Sequence, residues 1–117
     1  MQERILDLAK SVLEIESKAI TDSVRYLNAD FVKAAEWIFQ CKGKLVVTGI
    51  GKSGQIARKI ASTFSSTGTP AIYLHPAESS HGDLGIVTEN DIVLALSYGG
   101  ESYELNTIMT YVAPVSY

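Results

Sequence analysis

Leu45-Val46-Val47-Thr48-Gly49-Ile50-Gly51-Lys52-Ser53-Gly54 is the stretch on which the fold turns. Its first four residues are apolar or β-branched and read as a short strand; the glycines then break the chain, and from about Ser53 to Ser65 apolar residues recur at helical spacing. Strand, tight loop and helix in that order open a βαβ unit. Thr67-Gly68-Thr69-Pro70 interrupts the chain before a second apolar run, Ala71-Ile72-Tyr73-Leu74. A polar loop from His75 to Thr88 leads to Asp91-Ile92-Val93-Leu94-Ala95-Leu96, apolar nearly throughout, as a strand buried on both faces should be. Beyond it, Tyr98-Gly99-Gly100-Glu101-Ser102 turns into a helical pattern over roughly Tyr103 to Val112. Strands alternating with helices predict a parallel sheet with right-handed crossovers and helices on both faces, an α/β/α arrangement. The pattern leads one to expect another strand where the chain stops at Tyr117, so the sheet is expected to be truncated after its third strand.

Ahead of this core, Ile5, Leu8, Val12, Ile15, Ala19 and Val24 mark a drifting stripe of helical period over residues 2 to 27, one long helix or two abutting ones. Asn28 and Asp30 offer N-caps for a second helix over Phe31 to Gln40, and Gly43 offers its stop. Trp37 and Cys41 read as core. The stripe carries more apolar surface than a narrow sheet can cover, which predicts association of the chain with itself. With 46% hydrophobic residues in 117, there is material for about one domain. Thirteen acidic against ten basic side chains, a formal charge of −3 and no basic run argue against nucleic acid as a partner. No apolar stretch approaches membrane-spanning length, a single cysteine excludes an internal disulfide, and Met1-Gln2-Glu3-Arg4-Ile5 lacks the form of a secretory signal. Cytoplasm is the expected compartment.

In an open parallel sheet ligands bind at the carboxyl ends of the strands, where the three turns collect. Glycines in Gly49-Ile50-Gly51-Lys52-Ser53-Gly54 let backbone N–H groups approach an anion at a helix N-terminus, and Lys52 adds positive charge. The G-x-G-x-x-G spacing also fits a dinucleotide site, but that site wants an acidic residue at the end of the second strand, where Leu74 and His75 stand. A nucleoside triphosphate loop needs a glycine at position 46, which is Val46. Ser97-Tyr98-Gly99-Gly100-Glu101-Ser102 is a second strand-to-helix turn with hydroxyls and glycines suited to phosphate. The plainer reading is that the glycines turn the chain and Ser102 caps a helix. Two such turns on one sheet edge favour a phosphorylated small molecule.

The intervening loop, with His75, Glu78, His81 and Asp83, is long enough to carry function. Its histidines can move protons or hold a metal, or be surface residues, with His75 ending the strand. Glu101 and Glu104, three residues apart, share a helix face; one can act as a base, or both can be solvated acids favoured by the helix dipole. An aldose–ketose interconversion needs such a base beside a carbonyl.

Gly49 to Pro70, Leu74-His75-Pro76-Ala77-Glu78 and His81-Gly82-Asp83-Leu84-Gly85 together resemble the sugar isomerase (SIS) domain family, closest to the arabinose 5-phosphate isomerases. The resemblance is strongest over residues 45 to 105. It implies a three-layer α/β/α, Rossmann-like domain over residues 1–117, with N-terminal helices over 2–42 and a βα core over 44–112, incomplete at its C-terminus and assembling as a dimer or tetramer. It places Lys52, His81 and Glu104 as catalytic residues, and Gly51, Ser53, His75, Ser97, Gly100, Glu101 and Ser102 around the substrate. The implied reaction interconverts ribulose 5-phosphate and arabinose 5-phosphate through an enediol, without cofactor or metal, supplying the octulosonic-acid sugar of lipopolysaccharide or capsule. A non-catalytic sugar-phosphate sensor is the alternative. The family's third turn usually reads Ser-Asn-Ser-Gly-Glu-Ser, so Tyr98 and Gly99 remove two hydrogen-bonding side chains from the cradle. A later glutamate and histidine of the family's site have no counterpart before Tyr117.

Overall fold

The computed structural model describes residues 1–79, 83–100 and 106. In chain order the elements are α1 (Gln2–Asp22), a 3-10 turn (Ser23–Tyr26), α2 (Ala29–Phe39), β1 (Leu45–Gly49), α3 (Lys52–Ser66), β2 (Ala71–Leu74), α4 (Pro76–Ser79), a second 3-10 turn (Asp83–Ile86) and β3 (Ile92–Leu96). The chain divides into two compact units, Met1–Ala35 and a second beginning at Glu36. In the first, α1 runs unbroken to Asp22 before tightening into the 3-10 turn, and none of its residues is buried. Asn28 caps α2 as its sequence predicts: its Oδ1 accepts hydrogen bonds from the backbone of Asp30 and Phe31 at 3.0 and 3.3 Å. No helix among the described residues is long and apolar enough to cross a membrane.

The second unit is built on β1. The sheet is parallel with strand order β2-β1-β3, and all five residues of β1 are buried. A strand alternates its side chains between two faces, so β1 must be apolar on both. Leu45 and Val47 pack against Ala57 and Ala61 of α3, whose small side chains let the helix axis come close to the sheet. Val46 faces the other way with Leu74, under Ile72, Val87 and Val93. Burying each of these β1 side chains contributes about 1.5–3 kcal/mol. Trp37, expected in the core, is 43% exposed, and Cys41 is half-buried with its thiol 3.4 Å from the Asn90 carbonyl oxygen.

The punctuation at 67–70 is a Schellman motif. Gly68 takes φ +103°, and the Thr69 and Gly68 amides donate back to the Phe64 and Ser65 carbonyls at 2.9 and 3.5 Å. Within the polar segment 75–88, the described residues include α4 and the second 3-10 turn. The helical pattern over 103–112 lies outside the described residues apart from Asn106, which is helical.

At the amino edge of the sheet a clasp joins β1 to β3. The Asp91 carboxylate, with its side chain 2% exposed, accepts from the Lys44 amide at 2.8 Å, the Thr88 amide at 2.8 Å and the Lys44 ammonium at 2.7 Å. Lys44 Nζ also donates to the Ile86 carbonyl at 2.6 Å. Asp91 reads in sequence as the start of the third strand, yet β3 begins one residue later because Asp91 is engaged in this clasp. Gly43, expected as a helix stop, instead makes room for the clasp: a Cβ there would collide with the Asp91 carboxylate and lie 2.7 Å from the Asn90 carbonyl oxygen.

Burial alone would raise the Asp91 carboxyl, but the hydrogen bonds from Lys44 and Thr88 and the Lys44 charge outweigh it and hold the group below the usual aspartate value. The clasp's contribution is therefore complete above the unfolded-state pKa, about 3.9, and is lost as pH falls through the lower folded-state value. Urea titrations between about pH 5 and 2 should show Asp91→Asn with a shallower acid loss of stability than wild type. Asp91→Ala should cost about 3 kcal/mol at neutral pH, because the half-buried Lys44 ammonium loses its counter-charge and two amides lose their acceptor.

Candidate functional site

Register places the site. Gly49, the last residue of β1, lies beside Leu96, the last of β3, while Thr48 lies beside Leu74, the last of β2. The chain leaves β1 for β2 on one side and returns to β3 on the other, so the winding reverses between β1 and β3. The turns that follow these two neighbouring strands, Ile50–Gly51 and Ser97–Gly100, open at the reversal, where a doubly wound sheet leaves a crevice.

The first turn owes its shape to three glycines with different duties. A Cβ on Gly54 would lie 2.6 Å from the Gly49 carbonyl oxygen and 3.0 Å from Tyr73 Oη; one on Gly49 would lie 2.9 Å from the Ser53 carbonyl group. Both are small because helix and strand end are in contact. Gly51 has nothing near it but takes φ +62° and ψ −128°, the first central position of a type II′ turn. This glycine is the N-cap of α3, makes no side-chain cap hydrogen bond, and is followed by a first turn without an acidic residue. The leading amides of α3 together with the exposed Lys52 thus form a positive helix start with open space before it. Ser53 is half-buried in the same turn.

In the turn after β3, Ser97 Oγ accepts a hydrogen bond from the Gly100 amide at 3.0 Å, and Gly100 takes φ +72°. Tyr98 is fully exposed, and a Cβ on Gly99 would meet no atom within 4 Å. The sheet edge thus gathers Gly51, Lys52 and Ser53 on one turn and Ser97 and Gly100 on its neighbour. An anion is the chemistry that glycine-exposed amides, a helix start and an ammonium accommodate. His81, Glu101, Ser102 and Glu104 lie outside the described residues.

His75 follows β2 on the far side of β1. Its Nδ1 accepts from the Ala77 amide at 3.1 Å, which puts the proton of a neutral ring on Nε2, and its ring meets Tyr73 edge-on with centroids 6.3 Å apart. His75 thus starts α4 and packs against Tyr73. Two residues near the first turn escaped the sequence reading. Tyr73 donates from Oη to the Gly49 carbonyl at 3.0 Å, and Arg58 lies over the Tyr73 ring, 4.2 Å from its centroid. The available signal was a polar-tipped aromatic near the carboxyl end of an otherwise aliphatic strand. Thr48, fully buried, donates from Oγ1 to the Leu74 carbonyl and closes the β1–β2 edge.

The model of the SIS domain family matches residues 38–114. Arabinose 5-phosphate isomerase KdsD of Yersinia pestis is 56% identical over 100 residues, which are 86% of this chain and 30% of that protein. Among solved structures, a Listeria monocytogenes protein assigned as a sugar-phosphate isomerase superposes with a TM-score of 0.91 at 32% identity, covering 98% of this chain and 61% of that one. An Escherichia coli CFT073 protein in complex with arabinose 5-phosphate superposes with a TM-score of 0.90 at 35% identity, covering 99% of this chain and 62% of that one. This chain thus spans about a third of the length of the curated relative and about three fifths of the solved chains.

Gly51→Ala and Gly54→Ala should separate by mechanism. Gly51→Ala adds only backbone strain, about 1–2 kcal/mol, since its Cβ meets nothing. Gly54→Ala drives a methyl into the Gly49 carbonyl and should cost about 3 kcal/mol or prevent folding, as read by chemical denaturation of the two variants beside wild type.

Proposed function

The chain belongs to the SIS domain family, and from that premise we propose that it binds a phosphorylated pentose between its two glycine turns and forms the substrate-binding part of an arabinose 5-phosphate isomerase. The observation that carries the reading is the pairing of two open glycine turns on adjacent strand ends, one of them starting an uncapped helix with Lys52 beside it. The match to KdsD and to a protein bound to arabinose 5-phosphate supports the choice of sugar.

In this reading Ser53, Ser97, Ser102 and the turns at Gly51 and Gly100 hold the phosphate and sugar hydroxyls, with Glu101 and His75 near the substrate. The reaction moves a proton between two carbons. A base, assigned to Glu104, takes the proton from the carbon next to the carbonyl, and the electron pair moves to the carbonyl oxygen to give an enediolate. Lys52 stabilises that negative charge and His81 assists proton movement between the oxygens. Return of the proton to the former carbonyl carbon completes the exchange of ribulose 5-phosphate and arabinose 5-phosphate. No electron leaves the sugar, so the chemistry requires no redox cofactor. The finer parts of the proposal are a cytoplasmic homo-oligomer, one sugar-phosphate-binding domain over residues 1–117, and supply of the octulosonic-acid sugar of lipopolysaccharide or capsule. Support for association comes from α1, in which no residue is buried within one chain.

Thermal unfolding of this chain with arabinose 5-phosphate, ribulose 5-phosphate, inorganic phosphate and NAD tests the reading. A ligand present at about 100 times its Kd adds about 2.7 kcal/mol to the native state. The pentose phosphates should raise the midpoint by several degrees, phosphate by less, and NAD not at all; a response to NAD with none to the sugars would overturn the proposal. Lys52→Met should weaken pentose phosphate binding about tenfold by calorimetry, the loss of one charge-assisted contact.

A further inference from the structure

We propose that Tyr73 is the positioning residue of the first turn, holding the Gly49–Ile50 peptide in one orientation and so setting the affinity of the turn for phosphate. The inference deepens the sugar-phosphate reading above and rests on it.

The turn needs a brace. Gly49 and Gly51 flank Ile50, and glycine restrains the backbone least of all residues, so a peptide between two glycines is free to rotate unless something outside the turn holds it. Tyr73 reaches it from the neighbouring strand. The residue sits opposite Val47 on β2, its ring packs with the α3-facing core, and Oη donates to the Gly49 carbonyl at 3.0 Å.

The ring itself is held from two directions. The Arg58 guanidinium covers its face at 4.2 Å from the centroid, and His75 meets it edge-on at an interplanar angle of 82°. The hydroxyl is therefore aimed rather than free to search. A Cβ on Gly54 would lie 3.0 Å from that hydroxyl and 2.6 Å from the Gly49 carbonyl oxygen, so phenol, strand end and helix start meet where only glycine fits.

The consequence for the site follows from peptide geometry. A planar trans peptide points its N–H opposite its C=O. Because Tyr73 draws the Gly49 carbonyl toward β2, the Ile50 N–H is turned away from β2, and β3 lies on that other side of β1. Tyr73 thus orders the cradle before the ligand arrives, which removes part of the ordering cost of binding.

Tyr73→Phe removes the hydroxyl and keeps the ring, the Arg58 stack and the His75 edge. Three readouts on the chain test it: the amide resonances of Ile50 and Gly51, the Kd values for inorganic phosphate and arabinose 5-phosphate, and the thermal midpoint. Expected are moved Ile50 and Gly51 amides, both Kd values raised by a common factor of about five, and a midpoint close to wild type. A lowered midpoint with both Kd values unchanged makes Tyr73 a packing residue and overturns the proposal, as do unmoved Ile50 and Gly51 amides. If wild type binds neither ligand, the sugar-phosphate reading fails, and with it the claim on affinity. In that case moved amides still support the brace and unmoved amides overturn it.

Discussion

The described part of the second unit is organised around the complete burial of β1. A strand with no exposed residue has to be covered on both faces and paired on both edges, and Leu45–Gly49 satisfies this with α3 over Leu45 and Val47, Val87 over Val46, β2 on one side and β3 on the other. Because each neighbour is parallel, each must be reached by a crossover, and the two crossovers leave in opposite directions. The reversal between β1 and β3 is thus a by-product of surrounding one strand. It is also what leaves two turns with space between them.

The two ends of this sheet are used differently. At the amino edge, Asp91 gathers donors from Lys44 and Thr88 and ties β3 to β1, with Gly43 kept small to admit the carboxylate. The carboxylate of that clasp is committed to partners within the chain, which suits a fixed joint rather than a ligand site. At the carboxyl edge the first turn starts a helix without a side-chain cap, and the second holds Gly100 through the Ser97 hydroxyl. Donors without internal partners at a helix start are costly for folding alone but useful to an anion. Stability concentrated at one edge supports openness at the other.

Close approach explains why glycine, strand and helix appear together in the first turn. The Gly49 carbonyl, the α3 backbone at Ser53 and Gly54, and the Tyr73 hydroxyl lie within contact of one another, so a methyl at either glycine has no room. Gly51 is different in kind: it has space and needs only an unusual backbone angle. The same three-glycine spacing that fits a dinucleotide site is here satisfied by packing at two positions and by turn geometry at one. That spacing is accordingly a weak guide to the ligand, and the residues around it, Lys52 beside the helix start and His75 where a ribose-binding acid would stand, discriminate better.

Local chemistry was legible in the sequence. Periodicity located β1, α3, β2 and β3 to within a residue or so, because a strand buried on both faces must be a continuous apolar run and a helix on a sheet must show its apolar stripe. Glycines marked both turns, Gly68 and Pro70 the break before β2, and Asn28 its cap. Long-range partners were not legible. Gly43 reads as a helix stop until Asp91, distant in sequence, is brought against it; Tyr73 reads as one more strand aromatic until the Gly49 carbonyl lies under its hydroxyl; the contacts of the His75 ring with the Ala77 amide and Tyr73 leave no sign in the sequence. The sequence by itself determined which segments become strand, turn and helix, since those preferences act between near neighbours. Only the tertiary structure decided which groups meet across the sheet edge, because strand register and the direction of each crossover are set by burying β1 and leave no mark at any single residue.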